Sequence, residues 1–360
     1  MKRNRTHRKL PGGVATGIGS LPFTEAAPAV ALINRQFPLV PHWPQLPQRG
    51  LREGLIFQVF RCLVETGLIR VRGDQAVFDT EASDWPERLT AFYTICLEAE
   101  AGATDALARF AFSPDAAAGF DAFCDAFQAG HNTVARCVKG QMVGPLTMGL
   151  RLKGPDGRLA FYDEQLRDLM NRTLVLHAGW QCARLAETGL PVMLFIDDPT
   201  VAAYGTHAHI ALTREMILDS LNPIITTIQR QDAVVGIHSC DATDWALLFE
   251  TGTDIVSFDA YSFGDAMACY VPALQGFLER GGIIAWGVVP TGEEAFSETR
   301  DSLLSRLYHL WDQLAALGAD RQQLRRQSMI TPACGTGLLS AELAEKIYAL
   351  TAEVSAAVMG

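Results

Sequence analysis

The feature that most limits what this chain can become is an alternation. A short run of β-forming apolar residues is followed by a long amphipathic stretch, and eight such runs can be read along the chain. They are "ATGIGSLP" (15–22), "PLVPHW" (38–43), "VKGQMVGPL" (138–146) and "PVMLFIDDP" (191–199), then "AVVGIHSC" (233–240), "DIVSFDAY" (254–261), "GIIAWGVVP" (282–290) and "SMITPACG" (328–335). Their apolar residues are mostly continuous, the pattern of strands covered on both faces. Helical periodicity fills 164–187, 213–230, 265–280 and 297–317. Strand–helix alternation predicts a parallel α/β sheet, and eight units predict a (β/α)8 TIM barrel spanning 1–360 as a single domain. A doubly wound sheet is the alternative.

One connection is too long for a single crossover. Residues 44–137 separate the second run from the third, and within them "LIRVRGDQAVFDT" (68–80) reads as a hairpin around Gly73-Asp74 with helices on either side. This predicts an insertion on the barrel that covers the site or builds an interface between copies of the chain, a homo-oligomer.

Charge and composition exclude several partner classes. The net charge is −10, which argues against nucleic acid and anionic membrane surfaces. Basic residues cluster in "MKRNRTHRK", but "LPGGVATG" follows with no apolar core, so the start does not read as a secretory signal. No apolar run is long enough to span a bilayer, and the expected setting is the cytoplasm. Eight cysteines in 360 residues do not make a disulfide scaffold. Cys62, Cys96, Cys124, Cys137, Cys182 and Cys269 read as free thiols in apolar or helical contexts. Cys240 and Cys334 differ, because each ends a strand-like run beside polar residues or glycine.

In a parallel barrel the chemistry gathers at the C-terminal ends of the strands. There the sequence offers Ser20, Gly144 to Thr147, Asp197-Asp198, His238 and Cys240, Asp259, Trp286 and Cys334. His238 and Cys240 are two apart in a strand, so both face one side. With Cys334 they make an N/S2 donor set that suits Zn2+ and leaves an exchangeable position. As isolated residues they read equally well as buried core. His207 and His209 look like part of a loop before a helix.

Taken in order, the motifs resemble the catalytic barrel of cobalamin-independent methionine synthase, within the uroporphyrinogen-decarboxylase/methionine-synthase superfamily. "TGIGSLP" is similar to that family's opening "TTxIGSxP", "GPLTMG" to its "GPVT", and "FIDDP" to its "QIDEP" with Asp198 in place of Glu. "GIHSC" resembles its "HMC" zinc motif and "TPACG" its "NPDCG". The resemblance runs from residue 16 to residue 335. It implies a catalytic Zn2+ held by His238, Cys240 and Cys334, with a carboxylate, Asp259 or alternatively Glu250, completing the set. It also implies that Ser20 holds the carboxylate of an amino-acid substrate and Asp197 its amine, with Asp198, Thr147 and Trp286 lining the same pocket. The implied reaction is methyl transfer to a zinc-activated, homocysteine-like thiol.

Two departures bear on the donor and acceptor. Full-length members of that family carry a second, N-terminal barrel for methyl-folate, and this chain has room for one. The family's "HGE" segment is replaced by "PHWPQLPQRGLRE", where Gln45 or Gln48 would stand in as the substrate-binding polar group. Single-barrel relatives take methyl groups from corrinoid proteins, so the expected donor is a methyl-corrinoid on a protein partner or a methyl-folate. The rival readings are a decarboxylase of the same superfamily, whose "RQAGR" stretch is absent, and a non-catalytic zinc-binding relative.

Overall fold

The computed structural model describes residues 10–360. The basic run at the start, and the expectation that it is no secretory signal, lies outside the described residues. Nine strands are numbered in chain order. Seven form one parallel sheet, β1 (Val14–Ala15), β4 (Val138–Val143), β5 (Val192–Asp197), β6 (Val234–Ser239), β7 (Ile255–Phe258), β8 (Ile283–Val289) and β9 (Ser328–Pro332). Their order is β1-β9-β8-β7-β6-β5-β4. The other two, β2 (Ile69–Arg72) and β3 (Gln75–Phe78), pair antiparallel with Arg72 opposite Gln75. They form the hairpin in the long connection. Among the described residues, no helix is long and apolar enough to cross a membrane.

The second expected strand is absent as a ladder, for a chemical reason. Pro38, Pro41 and Pro44 lack an N–H, so the segment makes isolated bridges, His42 to Lys139 and Gln45 to Ser20. It nevertheless lies between the two edges of the sheet. On the β4 side Lys139 N donates to Pro41 O at 2.9 Å and Trp43 N to Lys139 O at 3.2 Å. On the β1 side Leu21 N donates to Gln45 O at 2.9 Å, Gln45 N to Gly19 O at 3.1 Å, and Thr16 Oγ1 to Val40 O at 2.9 Å. The sheet is thus curled, an arrangement consistent with a TIM-like barrel.

Alternation along each strand sorts side chains into two layers. Val14, Met193, Phe195, Val234, Ile255 and Ile283 fill the inside. The opposite residues, such as Leu194, Ile237 and Ile284, join the larger core under the helices. Helix starts follow the sequence: Asp163 accepts from Leu166 N ahead of Glu164–Ala186, Thr213 from Met216 N ahead of Arg214–Arg230, and Thr299 with Ser302 makes a capping box before Arg300–Ala316. The helix expected over 265–280 is shorter. Pro272 sits in the first turn of Val271–Glu279, and the residues before it, Gly264–Tyr270, form 3-10 turns.

Two stability predictions follow from packing. A Cβ on Gly119 would lie 1.8 Å from Pro44 O, whereas one on Gly276, in the helix Val271–Glu279, meets nothing within 4 Å. In urea unfolding, Gly119→Ala should lose about 1–3 kcal/mol or more, while Gly276→Ala should be neutral or gain up to about 1 kcal/mol. The second concerns His42, which is fully enclosed, hydrogen bonded through Nδ1 to Trp43 O at 2.9 Å and through Nε2 to Tyr348 Oη at 3.0 Å. Burial and the charge of Lys139 push its pKa down to about 3 against the opposing pull of the Trp43 carbonyl. The unfolded chain therefore takes up a proton at His42 as pH falls below 6.5 and the folded chain does not, so stability falls with pH across that window. At about 1.4 kcal/mol per pH unit, the drop between pH 6.5 and 5 should be about 2 kcal/mol smaller in His42→Gln.

Candidate functional site

The ladder brings three of the expected residues to one place. Asp197 of β5 pairs with His238 of β6, and His238 pairs with Ser257 of β7. His238 and Cys240 share a face, and the loop after β9 returns Cys334 to them. Ligand atoms of His238, Cys240 and Cys334 all lie within 4.8 Å of one another, and among the described residues this is the group with the donors to hold a metal ion.

One donor atom of that trio has no partner in the protein. His238 is buried, and its Nδ1 is hydrogen bonded to Ser257 Oγ at 2.9 Å. Its Nε2 is buried with no hydrogen-bond partner. With the proton on Nδ1 donated to Ser257, the Nε2 lone pair is free, which is the tautomer a ligand imidazole adopts. Cys240 and Cys334 face each other: the Cys240 thiol holds Cys334 below the usual thiol range, and the Cys334 sulfur with burial raises Cys240 in turn. An orphaned imidazole nitrogen beside two cysteine sulfurs fits a borderline-soft divalent metal.

Asp197 stands next in the row. It is buried, and its Oδ1 has no hydrogen-bond partner. Burial raises its pKa to about 6, with the Lys139 ammonium opposing the rise and the Cys334 sulfur adding to it. It is a carboxylate oxygen available to a donor on a ligand.

The other expected residues have structural partners. Asp198 accepts from Thr147 N at 2.7 Å, Thr147 Oγ1 at 2.6 Å and Leu146 N at 3.0 Å, so it clamps the first turn of the helix Pro145–Gly149, which follows β4, to the end of β5. Thr147 also donates to Thr200 Oγ1 at 3.0 Å. Ser20 does not cap the first helix, Ala26–Gln36, which has no side-chain cap. Its Oγ accepts from Gly337 N at 3.2 Å and its carbonyl from Thr336 N and Oγ1 at 3.1 and 3.0 Å, tying the first loop to the loop that carries Cys334. A Cβ on Gly335 would fall 2.2 Å from that hydroxyl. Gln45 Nε2 donates to Glu53 O at 2.7 Å, and Gln48 Nε2 to Gly337 O and Leu339 O, both at 3.2 Å.

Three of the expected residues stand apart from the trio. Asp259 lies outside the trio, because its side chain accepts from Ser262 N at 2.8 Å and caps the helix Ala260–Phe263. Glu250 is half-exposed at the end of the helix Trp245–Glu250, paired with Arg214. Trp286 faces away from the interior: Ala285 belongs to the inner layer, and the fully enclosed Trp286 packs edge-on against Phe258 and Trp311 under the helices. His207 and His209 form a short 3-10 turn, with His209 Nδ1 bonded to Tyr162 Oη at 2.9 Å. Sequence reasoning passed over Ser257, which the ladder sets beside His238, and Lys139, a charged residue in an otherwise apolar run.

Burial pushes Cys62, Cys96, Cys137 and Cys182 up to about 12 and Cys124 to about 11, whereas Cys334 is lowered and half-buried. Cys269 is exposed. Brief treatment of chelator-treated native protein with iodoacetamide at pH 7 should therefore label Cys334 and Cys269 first. Mass spectrometry should find the five buried thiols modified only after unfolding; early labelling of Cys137 or Cys182 would contradict this partition.

No family model matches the chain, and no curated protein matches it in sequence. Among solved structures it is similar to a B12-independent methionine synthase from Shewanella sp. W3-18-1, with a TM-score of 0.46, 15% identity and 65% of each chain covered. It is also similar to a putative vitamin-B12 independent methionine synthase from Listeria monocytogenes, with a TM-score of 0.42, 14% identity, and 62% of this chain and 63% of that one covered. The chain thus spans 65% and 63% of the lengths of these two proteins.

Proposed function

We propose that this chain is a zinc-dependent methyltransferase acting on a homocysteine-like thiol, built on a (β/α)8 barrel whose second stave is the proline-rich segment 38–43 and which carries residues 44–137 as an insertion. The observation that carries the reading is the buried, unpartnered Nε2 of His238 beside Cys240 and Cys334. The order of sequence motifs shared with the methionine synthase barrel supports it.

In this reading His238, Cys240 and Cys334 would hold Zn2+. Zinc bound there lowers the pKa of a thiol so that it is present as a thiolate at neutral pH. The chain's own residues do the rest. Ser257 fixes the tautomer and plane of His238. Asp197, with Oδ1 open, receives the substrate ammonium and orients the thiol. Ser20 keeps the Cys334 loop against the first loop and presents its hydroxyl at the substrate's carboxylate end. Asp198 and Thr147 hold the end of β5 and the helix after β4 as one unit beneath the pocket, and Gln45 and Gln48 line its approach. The methyl donor is a methyl-corrinoid brought by a partner protein, or a methyl-folate. The reaction takes place in the cytoplasm, and the insertion covers the site or joins copies of the chain.

Elemental analysis of protein purified without chelator tests the metal. Wild type should carry stoichiometric zinc, Cys334→Ser should lose it, and Ser257→Ala should bind it about 10–100-fold more weakly while remaining folded. X-ray absorption should show a sulfur added to the zinc shell when homocysteine is supplied. Zinc-free wild type, or a Cys334→Ser variant with unchanged metal content, would overturn the reading. Methyl transfer assayed from methylcobalamin and from methyl-folate then identifies the donor.

A further inference from the structure

Lys139 is a lysine enclosed inside the sheet, with no exposed surface. It is on β4, and it points inward because its neighbour Gly140 turns toward Gln181 and Leu185 of the helix Glu164–Ala186. Its ammonium donates to Ile18 O at 2.6 Å, has Gln141 Oε1 at 3.5 Å, and lies 4.6 Å from the centre of the Phe195 ring. Two neutral oxygens and a ring do not compensate a buried charge, which is costly without an opposite charge nearby.

The opposite charge is on the adjacent strand. Phe195 and Asp197 share the inward face of β5, so Asp197 is the next interior side chain beyond the ring that the ammonium covers. Asp197 is buried in turn, and its Oδ1 accepts no hydrogen bond. No direct ion pair joins them: the ammonium is held by Ile18 O and Gln141, and the attraction that offsets part of each burial cost acts across the Phe195 ring. The same ammonium fastens Ile18, two residues before the Ser20 that holds the Cys334 loop.

We propose that Lys139 is a positioning residue for Asp197, the enclosed counter-charge that keeps this carboxylate fixed beside His238 with Oδ1 open to the ammonium group of an amino-thiol substrate. The substrate half of this inference rests on the function proposed above; the pairing of the two side chains does not.

A double-mutant cycle on the full chain tests the pairing, with Lys139→Met, Asp197→Asn and the double variant followed by thermal unfolding. Each single variant should melt roughly 10 °C below wild type, and the double variant should recover most of that loss. If Lys139→Met does not fold, adding Asp197→Asn should restore folding. Additive losses, or a double variant no better than Lys139→Met, overturn the proposal. This readout needs neither metal nor substrate, so it stands whatever the zinc and methyl-transfer assays return. With zinc-loaded protein, Lys139→Met should weaken homocysteine binding by about 10–100-fold and leave 3-mercaptopropionate, which lacks the amine, unchanged. Equal weakening of both thiols would overturn the positioning role.

Discussion

Across β5, β6 and β7 the ladder sets Asp197 opposite His238 and His238 opposite Ser257, and this row decides where every other group in the site can stand. Parallel strands in register present paired residues to the same side. One row therefore aligns a carboxylate, an imidazole and the hydroxyl that orients it. A slip of one residue would exchange inner and outer faces. Lys139, Asp197 and His238 would then enter the apolar layer under the helices without partners, at several kcal/mol for each charge. Register is held from below by Phe195, Val234, Ile255 and Ile283, which fill the inside of the sheet.

The strands place the row, but loops complete it. Cys334 arrives from a loop after β9, and that loop is held by backbone and hydroxyl bonds to Ser20 rather than by a strand. Asp198 binds three donors from the first turn of the helix Pro145–Gly149. Each neutral bond contributes about 1 kcal/mol and each to a charged group somewhat more. Together they leave the side chains of the trio little freedom, which is what a preorganised site requires. Gly335 belongs to the same arrangement, since any side chain there would collide with Ser20.

Much of this was legible in the sequence. The runs at 138–146, 191–199, 233–240, 254–261, 282–290 and 328–335 all contain strands of the parallel sheet, because continuous apolar runs of that length have few other uses in an α/β chain. The run at 38–43 was read as a strand and is one only in outline, since hydropathy records burial and not the missing N–H groups of its prolines. The grouping of His238 with Cys240 followed from a period of two. Trp286 was placed in the pocket by its position near a strand end, although the same period assigns it to the outer face beside Phe258. Asp259 shows that a carboxylate just past a strand is equally well placed to start the next helix. Lys139 and Ser257 carried a signal, polar residues at interior positions of β4 and β7, that only the pairing of the strands made readable.

The depth at which the sulfurs lie has a consequence for the order of assembly. In an unfolded chain, eight thiols of similar character compete for any soft ion, and binding to that state works against folding. Folding withdraws Cys62, Cys96, Cys124, Cys137 and Cys182 into the core and brings two others to within reach of one imidazole. Selectivity for a single place of binding is therefore acquired with the tertiary structure rather than encoded in the thiols themselves. A chain that folded first would offer a soft ion one address, and a chain that met the ion first would offer it eight.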